Sequence, residues 1–218
     1  MKLVGMLDSP YVRRVAVSLQ RLGVPFEHHP LSVFRDFAAF SRINPVVKAP
    51  TLVCDDGLVL MDSGLIIEHA ESLAGRSLMP ADAVGRGRAL RCVALSLAAC
   101  EKSVQLVYER LRPAERQHGP WVERVIAQLQ AALGALDDEV RLHPPPLGAD
   151  TIGQAGITAA VAWRFITRET SGEAQAGHRP HLAALSARAE SLPAFMAAPH
   201  GTGPVAQTVS QASVEPRP

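Results

Sequence analysis

Cysteine, aromatic residues and net charge are all scarce in this 218-residue chain, and each shortage removes a class of function. The three cysteines, Cys54, Cys92 and Cys100, are odd in number and lack the spacing of a disulfide framework or a zinc site. A reducing, cytoplasmic setting follows as the expectation. With a formal charge of +1 at pH 7 and no lysine cluster interleaved with aromatics, a nucleic-acid partner has no electrostatic footing. No run of about 18 apolar residues occurs, so no membrane-spanning helix is expected. The sequence opens on a strand pattern instead of a charged n-region and apolar h-region, so export is not expected either. Eight histidines include no H-E-x-x-H pair, and no metal site is expected.

What remains is an ordinary globular composition, 47% hydrophobic and 20% charged, long enough for two domains with real cores. Lys2 to Met6 reads as a strand, followed by a helix whose Val12, Val15, Ala16, Leu19 and Leu22 share one face and which stops at Gly23. Val24 to Leu31 reads as a second strand and Phe34 to Phe40 as a helix. Two apolar runs around Asp55-Asp56-Gly57 form a hairpin signal, and a helix from Ser63 to about Leu73 buries Leu65, Ile66, His69, Ala70 and Leu73. Beyond Ala81 only helical patterns occur, over Ala83 to Leu111, Trp121 to Leu142, Gly153 to about Arg168, His181 to Ser191 and Pro193 to Ala198. Thr151 and Gln154 have capping-box spacing ahead of the third of these. Arg86, Arg88 and Arg91 read as a solvated helix face.

Chemistry concentrates at three places in the first half. Ser9 falls at an N-cap and Pro10 at N1, so the first turn's free N–H groups and the positive end of the helix point at whatever lies beside the Ser9 hydroxyl. The turn lacks the Cys-x-x-Cys of a thioredoxin-like redox protein, which excludes disulfide exchange there. Asn44-Pro45-Val46-Val47-Lys48-Ala49-Pro50 places an X-Pro bond just before a strand, and Asp62-Ser63 sits where a strand meets a helix. Each has a plain structural explanation alone: a helix cap, a loop proline, a solvated lysine.

Taken in order, Ser9-Pro10-x-x-x-Arg14, Asn44-Pro45-x-x-Lys48-x-Pro50, Asp62-Ser63 and Thr151-Ile152-Gly153-Gln154-Ala155 resemble the cytosolic glutathione transferase family, bacterial-type with a serine at the turn, over essentially residues 1 to 200. The resemblance implies an α/β thioredoxin-like N-terminal domain over 1–77, an all-α helical-bundle C-terminal domain over 83–200, and a tail over 201–218 expected to be disordered. It implies a homodimer and a detoxifying enzyme that uses glutathione as co-substrate, with no tightly bound cofactor, to conjugate a small electrophilic substrate. Ser9 would be catalytic, donating a hydrogen bond to the glutathione sulfur. Lys48 would approach the glycyl carboxylate, and Ala49, before a cis Pro50, would offer its backbone to the cysteinyl part. Asp62 would take the γ-glutamyl ammonium and Ser63 the carboxylate beside it. Tyr11, Tyr108, Arg112 and Trp163 are the candidate liners of the electrophile pocket, while Arg13 and Arg14 are read as helix surface or interdomain salt bridges. Three departures stand out: Val47 where many relatives have glycine, Gly64 after Ser63, and Gln154 in place of an aspartate. The alternative function is a non-catalytic ligand-binding or protein-interaction module on the same fold. Glutathione-dependent isomerisation or reduction has less support, since no second serine adjoins Ser9 and no cysteine occupies the turn.

Overall fold

The computed structural model describes residues 1–174, 179–201 and 203–205. Four short strands, β1 (Lys2–Val4), β2 (Glu27–His29), β3 (Thr51–Val53) and β4 (Val59–Met61), form one sheet in the order β2-β1-β3-β4. β1 runs parallel to β2 and antiparallel to β3, and β3 antiparallel to β4, with Leu3 between His28 and Leu52. The parallel pair demands a crossover, which α1 (Pro10–Leu22) supplies. The antiparallel pair closes through a turn in which Gly57 holds a φ of 87°. Helices α2 (Phe37–Ile43) and α3 (Ser63–Ala74) complete this thioredoxin-like half, and α4 (Ala83–Arg110), α5 (Gly119–Leu142), α6 (Gln154–Glu169), α7 (Ser171–Ala174), α8 (Pro180–Glu190) and α9 (Pro193–Ala197) make the helical half.

α1 joins the two. Ser9 caps its start, and Gly23, with a φ of 72°, ends it by donating to the Gln20 and Leu19 carbonyls. The sequence pattern assigns this helix one buried face, but almost every side chain from Pro10 to Leu19 is buried, because the sheet and α3 cover one side and α6 and α9 the other. Arg13 is therefore not a surface residue. Its guanidinium pairs bidentately with Glu190 at 2.7 Å on each arm, donates to the Ala198 carbonyl at 2.8 Å and stacks over Phe195. Arg86, Arg88 and Arg91 are exposed, as a solvated face requires, and Arg88 and Arg91 also reach Glu139 of α5, at 3.7 and 3.0 Å.

Two other expectations change. Ile66 and Ala70 of α3 are buried as expected and His69 is half-buried, but Leu65 and Leu73 are exposed and Ile67 is buried in their place. The capping box does not form: Thr151 Oγ1 accepts from the Gly148 N–H, and Gly153 is the N-cap of α6. A Cβ at Gly153 would lie 2.4 Å from the Leu78 carbonyl oxygen, so only glycine lets α6 start against the segment linking the two halves. Gln154 then spends its backbone N–H on that carbonyl and its side chain elsewhere. Of the tail, residue 205 is the last one described; its N–H donates to His28 Nδ1 at 3.0 Å, and residues 206–218 lie outside the described set.

His200, between α9 and the tail, gives the fold an acid-sensitive contact. Burial, reinforced by Arg13 and Arg164, pushes its imidazole from 6.5 down to about 4. The unfolded chain takes up this proton near pH 6.5 and the folded one only near 4, so the unfolded state binds more protons in between and stability falls as pH drops through that window. His200→Gln is expected to flatten the midpoint of urea unfolding between pH 6.5 and 4; an unchanged slope would mean that other groups carry it.

Candidate active site

A cavity of about 670 Å³ opens where α1, the loop before β3, the start of α3 and the facing sides of α4 and α6 meet. Ser9, Tyr11, Lys48, Ala49, Pro50, Asp62, Ser63 and Tyr108 line it together. Arg112 and Trp163 do not. Arg112 is half-exposed beyond the end of α4 and pairs with Glu109 at 3.3 Å, while Trp163, 5% exposed, packs into the core of the helical half.

At the α1 turn the Ser9 Oγ accepts from the Val12 N–H at 3.4 Å. Accepting leaves the hydroxyl proton free to donate, so helix cap and anion donor are compatible roles for one side chain. Tyr11 is half-buried on the same turn, and burial raises its phenol well above the ordinary value.

The loop before β3 is held by Asn44, which is buried. Its Nδ2 donates to Thr51 Oγ1 at 2.9 Å, and its Oδ1 accepts from the Val46 N–H at 3.0 Å. The Ala49–Pro50 peptide is cis, and neither the N–H nor the C=O of Ala49 has a partner among the described residues. A pair of unused backbone groups beside β3 is what an extended peptide ligand requires. Lys48 is exposed at the rim. Val47 holds a φ of 51°, a region costly for a β-branched residue, which explains why glycine is at home there. Val47→Gly should relieve roughly 1–3 kcal/mol of strain against a glycine entropy cost of roughly 0.5–1. A rise of a few degrees in melting temperature is expected; a fall would show that the side chain's contacts outweigh the strain.

Asp62 caps α3 from a φ of 77°, its Oδ1 accepting from the N–H groups of Gly64 at 2.8 Å and Leu65 at 3.4 Å. Its Oδ2 has no partner among the described residues. Behind the neighbouring Ser63 lies Arg14, only 4% exposed. Arg14 donates from Nη1 to Ser63 Oγ at 3.0 Å and from Nη2 to Gln154 Oε1 at 3.3 Å, and Gln154 passes the chain on to Ser18 Oγ at 2.7 Å. No carboxylate lies within ion-pair distance of Arg14 among the described residues, and its buried Nε has no partner. Burial lowers this guanidinium to about 10, although Asp62 acts in the opposite sense. Sequence periodicity missed this cation because it assumes a helix with one solvated face.

The far side of the cavity is walled by Phe34, Val104, Val107, Tyr108 and Phe165, with the Phe34 and Tyr108 rings edge to face at 5.4 Å. Asp8 and Glu169 add two carboxylates that the sequence reading did not single out, although Asp8 adjoins Ser9 and Glu169 follows Phe165 by one helical turn. Among the described residues no group of three or more histidine, cysteine or acidic side chains is arranged to hold a metal, and no helix is long and apolar enough to cross a membrane.

Comparison with known proteins places this geometry. The glutathione S-transferase N-terminal domain profile matches residues 3–78. An uncharacterized GST-like protein of Escherichia coli, YibF, is 28% identical over 186 residues, covering 85% of this chain and 91% of that protein. Glutathione transferase GST 23 of Zea mays is 24% identical, over 81% and 78% of the two chains. Among solved structures, a glutathione S-transferase of Methylobacterium radiotolerans in complex with glutathione sulfonate superposes with a TM-score of 0.83 at 26% identity, covering 98% of this chain and 99% of that one. A glutathione transferase family member of Pseudomonas fluorescens with bound glutathione gives 0.76 at 28% identity, covering 90% and 97%.

Proposed function

We propose that this chain, which belongs to the glutathione transferase family, binds glutathione in the cavity described above and transfers its thiolate to a small electrophile. One observation carries the reading: the Ser9 hydroxyl, the unpaired backbone of Ala49 and the Asp62–Ser63 corner all line one cavity. Each matches a different chemical feature of the tripeptide. The sulfur lies at Ser9 and the N-terminus of α1, the cysteinyl backbone along Ala49, and the glycyl carboxylate near Lys48. At the other end Asp62 Oδ2 takes the ammonium. Ser63, backed by Arg14, takes the neighbouring carboxylate. Ser9 favours thiolate over thiol by hydrogen bonding and helix-end electrostatics, and the thiolate attacks an electrophile held against Tyr108 and Phe34. The reaction belongs in a cytoplasmic detoxification setting, a location that fits three free, buried cysteines.

Calorimetric titration with glutathione, followed by a conjugation assay with a chlorinated nitroarene, tests the reading. Binding with turnover supports it, binding without turnover favours the non-catalytic ligand module, and neither heat nor thermal shift at millimolar glutathione would sink both.

A homodimer accompanies the proposal. Val59 and Met61 of β4, Leu65 of α3 and Leu90 of α4 are exposed apolar side chains on the N-terminal domain and the first long helix, the two parts proposed to meet a second copy. Light scattering is expected to give twice the 23.3 kDa chain mass, and a monomer mass at micromolar concentration would contradict this.

A further inference from the structure

The cavity holds more negative charge than glutathione recognition uses. Its described lining carries three carboxylates, Asp8, Asp62 and Glu169, against a single basic side chain, Lys48. Lys48 and Asp62 belong to the glutathione side. Asp8 and Glu169 remain, set among Phe34, Val104, Val107, Tyr108 and Phe165, where the second substrate must lie to reach the sulfur.

Glu169 has no lysine or arginine side chain within ion-pair distance of its carboxylate among the described residues. Its side chain is 40% exposed, and the one basic group within ion-pair distance among the described residues is His200, at 3.7 Å. Burial holds that imidazole neutral at physiological pH. Arg110, which reaches the same helix end, spends Nη1 on the Glu169 backbone carbonyl and Nη2 on the Glu173 carboxylate, not on the Glu169 side chain. Asp8 is half-buried beside Ser9; burial raises its carboxyl above the ordinary value, and the Ser9 backbone and Arg35 offset part of that rise. An apolar wall lowers the local dielectric constant and so lengthens the reach of both carboxylates. The edge-to-face Phe34–Tyr108 pair also offers aromatic faces that attract cations and repel anions.

Resting on the transferase reading above, we propose that this half of the cavity selects electrophiles by charge. It accepts an aromatic acceptor that is neutral or bears a cationic or hydrogen-bond-donating group, and it discriminates against one bearing a carboxylate. Glu169 is the specificity-determining residue, with Asp8 adding to it.

A matched pair of acceptors reads this directly: 1-chloro-2,6-dinitrobenzene and its para-carboxylate, 4-chloro-3,5-dinitrobenzoate. In each, the glutathione sulfur forms a bond to the ring carbon, chloride leaves with the bonding pair, and the thiol proton passes to solvent. Each kcat/KM is divided by the uncatalysed rate constant with glutathione, which removes the difference in ring activation. The wild-type protein is expected to favour the neutral acceptor by at least about tenfold, and Glu169→Gln to bring that ratio within about threefold. Asp8→Asn/Glu169→Gln should bring it closer to one. Affinities of the two S-aryl glutathione conjugates, measured by calorimetry, give the same comparison without turnover. Selective conjugate binding without turnover of either acceptor would remove the transferase reading and leave charge selection standing. Equal affinities for the two conjugates, or a ratio that both variants leave unchanged, would overturn the inference.

Discussion

Ser9→Ala is expected to lower the conjugation rate about ten- to a hundredfold while glutathione affinity stays nearly unchanged. A free thiol has a pKa near 8.5, so making thiolate predominant at pH 7 needs a shift of about two units, or about 2.7 kcal/mol. A hydrogen bond to a charged acceptor contributes about 1.5–3 kcal/mol and a helix N-terminus up to about 2, so the two together suffice. The Ser9 hydroxyl accepts only the long 3.4 Å bond from the Val12 N–H, which leaves its proton available to the sulfur. The alanine variant keeps the helix end and loses the hydroxyl, and the pH profile of kcat/KM should therefore move upward by about one to two units. Affinity should change little, because the proposed contacts of the carboxylates, ammonium and peptide backbone lie elsewhere. Loss of the cap is a separate, global effect of about 0.5–2 kcal/mol, visible in thermal unfolding of the ligand-free protein. Full activity with an unmoved pH profile would return Ser9 to a cap alone and pass the sulfur to Tyr11 or a backbone N–H. Tyr11 could serve only as a donor, because burial holds its phenol protonated.

The half of the cavity around Ser9, Ala49 and Ser63 was legible in the sequence for a physical reason. Ser9, Asn44 to Pro50 and Asp62-Ser63 lie at turns, where cap, X-Pro and strand-to-helix chemistry restrict the residue types locally. The half around Tyr108 and Phe165 is assembled from α4, α6 and the loop at Phe34, segments distant in the sequence, and no local rule marks which face of a long helix meets a distant loop. Trp163 illustrates the limit: it lies on the same helix as Phe165 and Glu169, but points into the core while they line the cavity. Gln154 shows a related one. Spacing suggested a capping box, and the structure gives that side chain to Ser18 and Arg14, because tertiary hydrogen bonds between the halves outcompete a local cap. Glycine at 153 was the available clue, since close approach of the Leu78 carbonyl leaves no room for the usual cap residues.

Arg14→Gln is expected to weaken glutathione binding about ten- to a hundredfold, the effect of losing a charge-assisted interaction of about 1.5–3 kcal/mol. Burying a guanidinium without a carboxylate is costly, and Arg14 meets only the Ser63 hydroxyl and the Gln154 amide oxygen at hydrogen-bond distance, with Asp62 acting on it through space. In the proposed binding mode, a carboxylate arriving at Ser63 would supply the missing countercharge one hydroxyl away, so that part of the cost of burying the cation would be recovered only when ligand binds. A purely structural role predicts a different pattern. There the substitution would lower the melting temperature of the free and the glutathione-saturated protein together. As a ligand-linked charge, Arg14 should instead govern the gap between those two temperatures, which narrows in the glutamine variant. A glutathione analogue lacking the γ-glutamyl α-carboxylate separates the cases further: wild type and variant should bind it alike. Equal loss of affinity for glutathione and for that analogue would show that Arg14 acts by supporting the interface between α1 and α6 and not by its charge.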